Sequence, residues 1–171
     1  MESRTNPSGA SYDHSVMHCV CHEYKVEGKV IGDCTIPKRL ALCDTPDKAV
    51  EYWRMHIERH KWFDPEKEML ITMFLDTKLC IKGHTLVGLG TLDSLSTTPR
   101  EVFRCAIVLA AKSIVLMHNH PSSNPEPSRE DIRLTRNLSK AGSLLGIELI
   151  DHIIVGHPTF VSLKKRGIIQ A

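Results

Sequence analysis

Three nearly unbroken apolar runs constrain the fold of this chain more than any other feature: Glu68 to Leu75, Ile114 to Met117, and Ile147 to Val155. Each is short and bounded by turn residues, such as Asp76-Thr77-Lys78 after the first. A strand covered on both faces reads this way, because neither side needs polar residues. Cys80 to Leu92 returns as a further strand, with Gly83, Gly88 and Gly90 marking bends or bulges. Thr98-Pro99-Arg100-Glu101 is a capping box with proline at the first helical position, predicting a helix that buries Val102, Phe103, Ala106, Ile107 and Ala110. A second helix over 128–145 has Asp131, Leu134, Leu138, Ala141 and Leu145 on its inner stripe and stops at Gly146. Phe160 to Leu163 makes a last short strand. Strand, strand, helix, strand, helix, strand, strand is an α/β order, with a mixed β-sheet sandwiched by helices.

In front of this lies different material. Residues 1–13 read as a flexible tail and 14–54 as a hairpin and helix extension, leaving 55–171 as the main domain. The extension's helix begins at Thr45-Pro46, buries Ala49, Val50, Trp53 and Ile57, and is stopped by Trp62-Phe63-Asp64-Pro65. His56 and His60, four apart on it, read as solvated side chains. His14, His18, Cys19, Cys21 and His22 cluster in the predicted hairpin. A structural zinc site from Cys19, Cys21, Cys34 and Cys43 is conceivable, but Cys-x-Cys is tighter than the usual spacing. The first nine residues have no apolar core of a secretory signal, so the expectation is a cytoplasmic protein with reduced thiols. No stretch reaches the roughly 20 apolar residues of a membrane span. A net charge of +2 announces neither nucleic acid nor a membrane surface as partner.

The chemistry concentrates between Leu116 and Asp131. An apolar strand delivers His118 and His120, a loop rich in proline, serine and asparagine follows, and Ser128 and Asp131 open the second helix. Side chains two apart on a strand share a face, which brings the imidazoles together. Two imidazoles and a carboxylate with an open fourth position form the ligand set of a catalytic zinc site. Non-haem iron uses the same ligand types. The competing reading is that Ser128 and Asp131 only cap the helix. A carboxylate on the inner stripe, however, wants a cation or strong donors.

His118-Asn-His120-Pro-Ser with Ser128-Arg-Glu-Asp131 resembles the JAMM motif of JAB/MPN metalloproteases: a glutamate, then His-x-His, seven or more residues, and Ser-x-x-Asp. Here seven residues separate His120 from Ser128. The closer resemblance is to the RadC-like branch. It runs through Gly90-Thr91-Leu92, Pro99-Arg100-Glu101-Val102-Phe103, the histidine block, Leu134-Thr135 and Asp151-His152-Ile153-Ile154-Val155-Gly156, over about residues 55–163. Ser123 stands where that branch has glycine, and Thr98 where it often has histidine.

The resemblance implies a JAB/MPN-like fold and a zinc-dependent hydrolase of peptide or isopeptide bonds. His118, His120 and Asp131 would hold Zn2+ and Glu68 would be the general base, with Glu66 as the fallback. Ser128 would serve the oxyanion, and Asp151 and His152 would stand behind the ligands. A peptide or protein conjugate is the expected substrate, with no membrane partner. The branch's DNA-repair name raises an alternative, a nucleic-acid factor or metal-dependent nuclease at the same site. Arg129, Arg133, Arg136 and Lys140 would then line an approach, and any nucleic-acid association would be weak. A non-catalytic scaffold is disfavoured by the intact ligand set.

Overall fold

The computed structural model describes residues 38–90 and 97–169. The expected tail and hairpin lie outside the described residues, as do Cys19, Cys21 and Cys34. The described elements are α1 (Lys38–Ala41), α2 (Pro46–Tyr52), a π-helical turn (Trp53–Ile57), β1 (Met69–Leu75), β2 (Ile81–Leu89), α3 (Pro99–Val108), β3 (Ser113–Asn119), α4 (Arg129–Leu145), β4 (Glu148–Val155) and β5 (Phe160–Ser162). The five strands form one mixed sheet in the order β2-β1-β3-β4-β5. Only β3 and β4 run parallel; the other neighbours are antiparallel. This is the α/β sandwich the apolar runs imply.

Every residue of β1 and β3 is buried, and the period of two sorts them into two cores. Met69, Ile71, Met73 and Leu75 join Val115, Met117, Ile153 and Val155 beneath α2 and the π turn. Leu70, Phe74, Ile114, Leu116 and Leu149 meet Val102, Phe103 and Ala106 of α3 and Leu138 of α4 on the other face. Full burial of one such side chain stabilises by about 1.5–3 kcal/mol, so neither face can be left uncovered.

Three local expectations need correction. The first helix tightens no further than Tyr52 and widens into the π turn, closed by Glu58 N–H donating to the carbonyl of Trp53. The widened turn lets Trp53 and Ile57 both reach the core. In α3, Ile107 and Ala110 are exposed: the helix ends at Val108, and Ala110 already has a positive φ of 46°. The Thr98 hydroxyl donates to the Glu101 carboxylate instead of accepting a helix N–H.

The third concerns α4, whose inner stripe is Asp131, Thr135, Leu138 and Gly142. Leu134 and Ala141 are only partly buried, and Leu145 is exposed. Close packing decides the rotation. A Cβ on Gly142 would lie 2.4 Å from the carbonyl oxygen of Ile147 and 3.1 Å from the Phe103 ring, so only glycine lets the helix approach this near.

Candidate metal centre

His118 sits on β3 facing α4, fully buried, while His120 lies just past the strand end and is half-buried. Their Nε2 atoms stand 3.0 Å apart. Asp131 is fully buried in the first turn of α4, with Oδ1 at 3.2 Å from Nε2 of His118 and Oδ2 at 3.5 Å from Nε2 of His120. Glu68, immediately before β1, places a carboxylate oxygen 3.5 Å from Nε2 of His118. One ligand atom from each of the four residues lies within 4.8 Å of the others. Glu66, the fallback glutamate, is exposed on the preceding turn.

Local structure explains each placement. The β1–β3 register pairs Leu70 with His118, so the residue two before Leu70 arrives beside the imidazole. Ser128 and Asp131 form a complete capping box. The Ser128 hydroxyl accepts from the Asp131 N–H at 3.0 Å, and Oδ2 of Asp131 accepts from the Ser128 N–H at 2.7 Å. The same hydroxyl also donates to Oδ2 at 2.7 Å. Capping and clustering are therefore both realised by one pair of residues.

The protonation pattern suits a cation. Nδ1 of His120 is 2.8 Å from the carbonyl of Asn124; a carbonyl only accepts, so Nδ1 carries the proton and Nε2 of the neutral ring offers a lone pair. Burial pushes the Asp131 carboxyl up, but the flanking histidines and the Ser128 donors more than offset this and hold it well below the usual carboxylate range. The carboxylate of Asp131 in turn raises His120. Oδ1 of Asp131 is buried with no hydrogen-bond donor among the described residues. A buried anionic oxygen 3.2 Å from Nε2 of His118, with no donor of its own, is a position that a cation would satisfy, and the donor set fits zinc.

Behind this cluster, Nδ1 of His118 is 2.9 Å from Nε2 of His152. Nδ1 of His152 is 2.6 Å from the Thr135 hydroxyl, which is itself 2.6 Å from the backbone carbonyl of Asp131. Neighbouring Asp151 belongs elsewhere: its carboxylate accepts from Ser162, from the N–H of Lys164 and from the N–H of His152, and so anchors the turn after β5. Strand alternation turns the two to opposite faces, and an irregularity in the β3–β4 ladder just before them decides which face each takes. Ile114 pairs with Leu149 but Val115 with Asp151, and the skipped residue turns His152 onto the face of His118.

Among the described residues, the other titratable groups do not join the cluster. Cys43 is buried, and its thiol is pushed up to about 11, chiefly by burial. His56 stacks on Tyr52 and His60 on Trp62, with ring centroids 4.9 and 4.3 Å apart. Arg129, Arg133, Arg136 and Lys140 are all exposed. A cavity of about 240 Å³ opens beside His120, lined by Phe63, Pro65 and Val155 and by the polar Glu58, His120 and His157.

A family model described as RadC-like JAB domain matches residues 43–168. The chain belongs to the RadC-like JAB domain family. Its relatives include a UPF0758 protein of Methanosarcina acetivorans, 42% identical over 135 residues, which are 78% of this chain and 56% of the relative. Another, from Syntrophomonas wolfei, is 37% identical over 141 residues, or 82% of this chain and 58% of the relative. A third, from Halalkalibacterium halodurans, is 46% identical over 101 residues, covering 59% of this chain and 44% of the relative. This RadC-like chain thus spans about half the length of the curated relatives it matches. Membership and the four-residue cluster together support metal-dependent hydrolysis at the level of the family. Among the described residues no helix is long and apolar enough to cross a membrane.

Proposed function

We propose that this RadC-like domain is a zinc-dependent hydrolase of peptide or isopeptide bonds, acting on a peptide or a protein conjugate. The carrying observation is the convergence of His118, His120, Asp131 and Glu68, whose ligand atoms lie within 4.8 Å of one another. His118, His120 and Oδ1 of Asp131 would hold the ion. Zinc held there would polarise the scissile carbonyl and lower the pKa of water toward about 7. Glu68 takes the proton of the attacking water and returns it to the leaving amine, as a general base must lie within reach of both. Ser128 supports the oxyanion only by turning its hydroxyl away from Oδ2 of Asp131, where it now donates at 2.7 Å. The cavity beside His120 receives the chain flanking the scissile bond.

A second reading, weak nucleic-acid association, rests on the four exposed cations of α4. Scattered cations of this kind bind phosphates without reading bases, and salt removes them. One experiment separates the readings: zinc-loaded chain is offered peptide, isopeptide-linked and single-stranded DNA substrates, before and after chelation. The proposal expects about one zinc per chain and amide cleavage that chelation abolishes and zinc restores. DNA cleavage lost in His118→Ala, with no amide cleavage, would put the nuclease in its place.

A further inference from the structure

The string of hydrogen bonds behind His118 runs in one direction only, and from this we infer that His152 and Thr135 are positioning residues that set His118 as a metal ligand. The inference rests on the metal-site reading given above. It starts from the Thr135 hydroxyl, which has one proton and two close neighbours: the carbonyl oxygen of Asp131 and Nδ1 of His152, both at 2.6 Å. The carbonyl has no proton to give. Two oxygens at that distance without a hydrogen between them would repel, so Thr135 donates to Asp131. Its oxygen therefore accepts from His152, and Nδ1 of His152 carries a proton.

The next link is the 2.9 Å contact between Nε2 of His152 and Nδ1 of His118. For His118 to offer a lone pair from Nε2 to an ion, its single ring proton must sit on Nδ1. That proton then points at His152, whose Nε2 accepts. Every donor in the string finds an acceptor, and the string closes on the backbone of Asp131, itself a ligand. His118 and Asp131 are thus tied together twice, once at the ion's position and once through Thr135 and His152.

Burial makes the string rigid. His118, Thr135 and His152 are each fully buried, so water cannot replace a missing link. The backbone supplies the placement: the β3–β4 irregularity brings His152 to this face, and the inward rotation of α4 brings Thr135. Ligating histidines generally donate their second N–H to a carboxylate, a carbonyl or water. Here a second histidine takes that position and needs its own partner to hold the correct tautomer, which is the part Thr135 plays.

The test is zinc affinity by chelator competition on the unaltered chain and on Thr135→Val and Thr135→Ser, with metal-free Tm measured alongside. Valine keeps the shape and removes the hydroxyl; serine restores it. The expected result is zinc binding weakened about 10–100-fold in Thr135→Val and largely recovered in Thr135→Ser. Zinc bound by Thr135→Val as tightly as by the unaltered chain overturns the inference while leaving the metal site standing. An unaltered chain that binds no zinc removes the metal reading and this inference with it. Imidazole nitrogen NMR on the zinc-loaded, unaltered chain gives an answer that does not depend on a variant folding. Protons on Nδ1 of both His118 and His152 support the string; a proton on Nε2 of His152 overturns it.

Discussion

Asn119 holds the backbone on both sides of Glu68. Its side-chain oxygen accepts from the N–H of Met69 at 3.0 Å, and its side-chain nitrogen donates to the carbonyl of Lys67 at 3.0 Å. The residue between the two histidines points away from them, by strand alternation, and grips the segment that carries the proposed base. Asn119→Ala leaves two backbone groups without their partner, at a cost of about 1–3 kcal/mol each where water cannot reach them. We expect a lower Tm, near-normal zinc content, and turnover down by up to about 10²-fold from a misplaced Glu68. Unchanged turnover would show that the grip serves only the fold.

Glu68→Gln separates ligand from base. Zinc content and Tm should hold, while hydrolysis falls about 10²–10⁴-fold, the usual contribution of a general acid–base group. Glu66→Gln, at an exposed position, is the control and should stay active. If both variants cleave normally, Glu68 is not the base.

Ser128→Ala removes a helix cap and one donor to Asp131 together. The capping part predicts a loss of about 1 kcal/mol, read from denaturant unfolding of the metal-free chain. A further fall of about 10²–10³-fold in turnover would mark an oxyanion contact. Lost stability with intact turnover would confine Ser128 to the cap.

His84 predicts a pH dependence away from the cluster. Burial first, then the neighbouring His60 and His56, hold its pKa down to about 4, while Tyr52 O–H lies 2.6 Å from Nδ1. The unfolded chain takes up this proton near the ordinary histidine pKa of about 6.5, and the folded chain only lower. Between those values the unfolded state binds more protons, so stability is full above the upper one and declines as pH falls through the window. Tm measured from neutral pH downward should show that decline, and His84→Gln should flatten it. An unchanged slope in the variant would assign it to other groups.

Gly142→Ala tests the close approach of α4. The added Cβ would meet the Ile147 carbonyl oxygen at 2.4 Å, so backbone must move. Overpacking of this sort typically costs about 1–3 kcal/mol, opposite in sign to the gain of roughly 1 kcal/mol expected for Gly→Ala on an open helix face. Denaturant midpoints decide between them.

What could be read from the sequence divides along physical lines. The buried strands were legible because a two-sided core forces unbroken apolar runs, and the α4 start because Ser128-x-x-Asp131 is a local pattern. The inner face of α4 was legible only in part: Asp131 and Leu138 lie on it as their spacing predicts, but apolar periodicity counts leucines and cannot see that Thr135 and Gly142 face inward, one for a hydrogen bond and one for closeness. The π turn at Trp53–Ile57 escaped for a similar reason, since its apolar stripe fits an ordinary helix as well. Asn119 acts across 50 residues of sequence and nothing local marks it, while His152, 34 residues from His118, was singled out only by the family resemblance, together with Asp151, which lies elsewhere. Family resemblance was needed to single out Glu68, which spacing alone leaves as a solvated residue at a strand start.

The two oxygens of Asp131 have different employment. Oδ2 takes both the N–H and the hydroxyl of Ser128, at 2.7 Å each, while Oδ1 has no such claim on it. A carboxylate held in this way would grip an ion with one hand, because the other is fastened to its own helix. One atom each from His118, His120 and Asp131 would make a tripod for an ion, with the fourth position left to water or substrate. A tripod seats a guest without enclosing it, and enclosure is what separates a metal that only braces a fold from one that trades ligands with its surroundings.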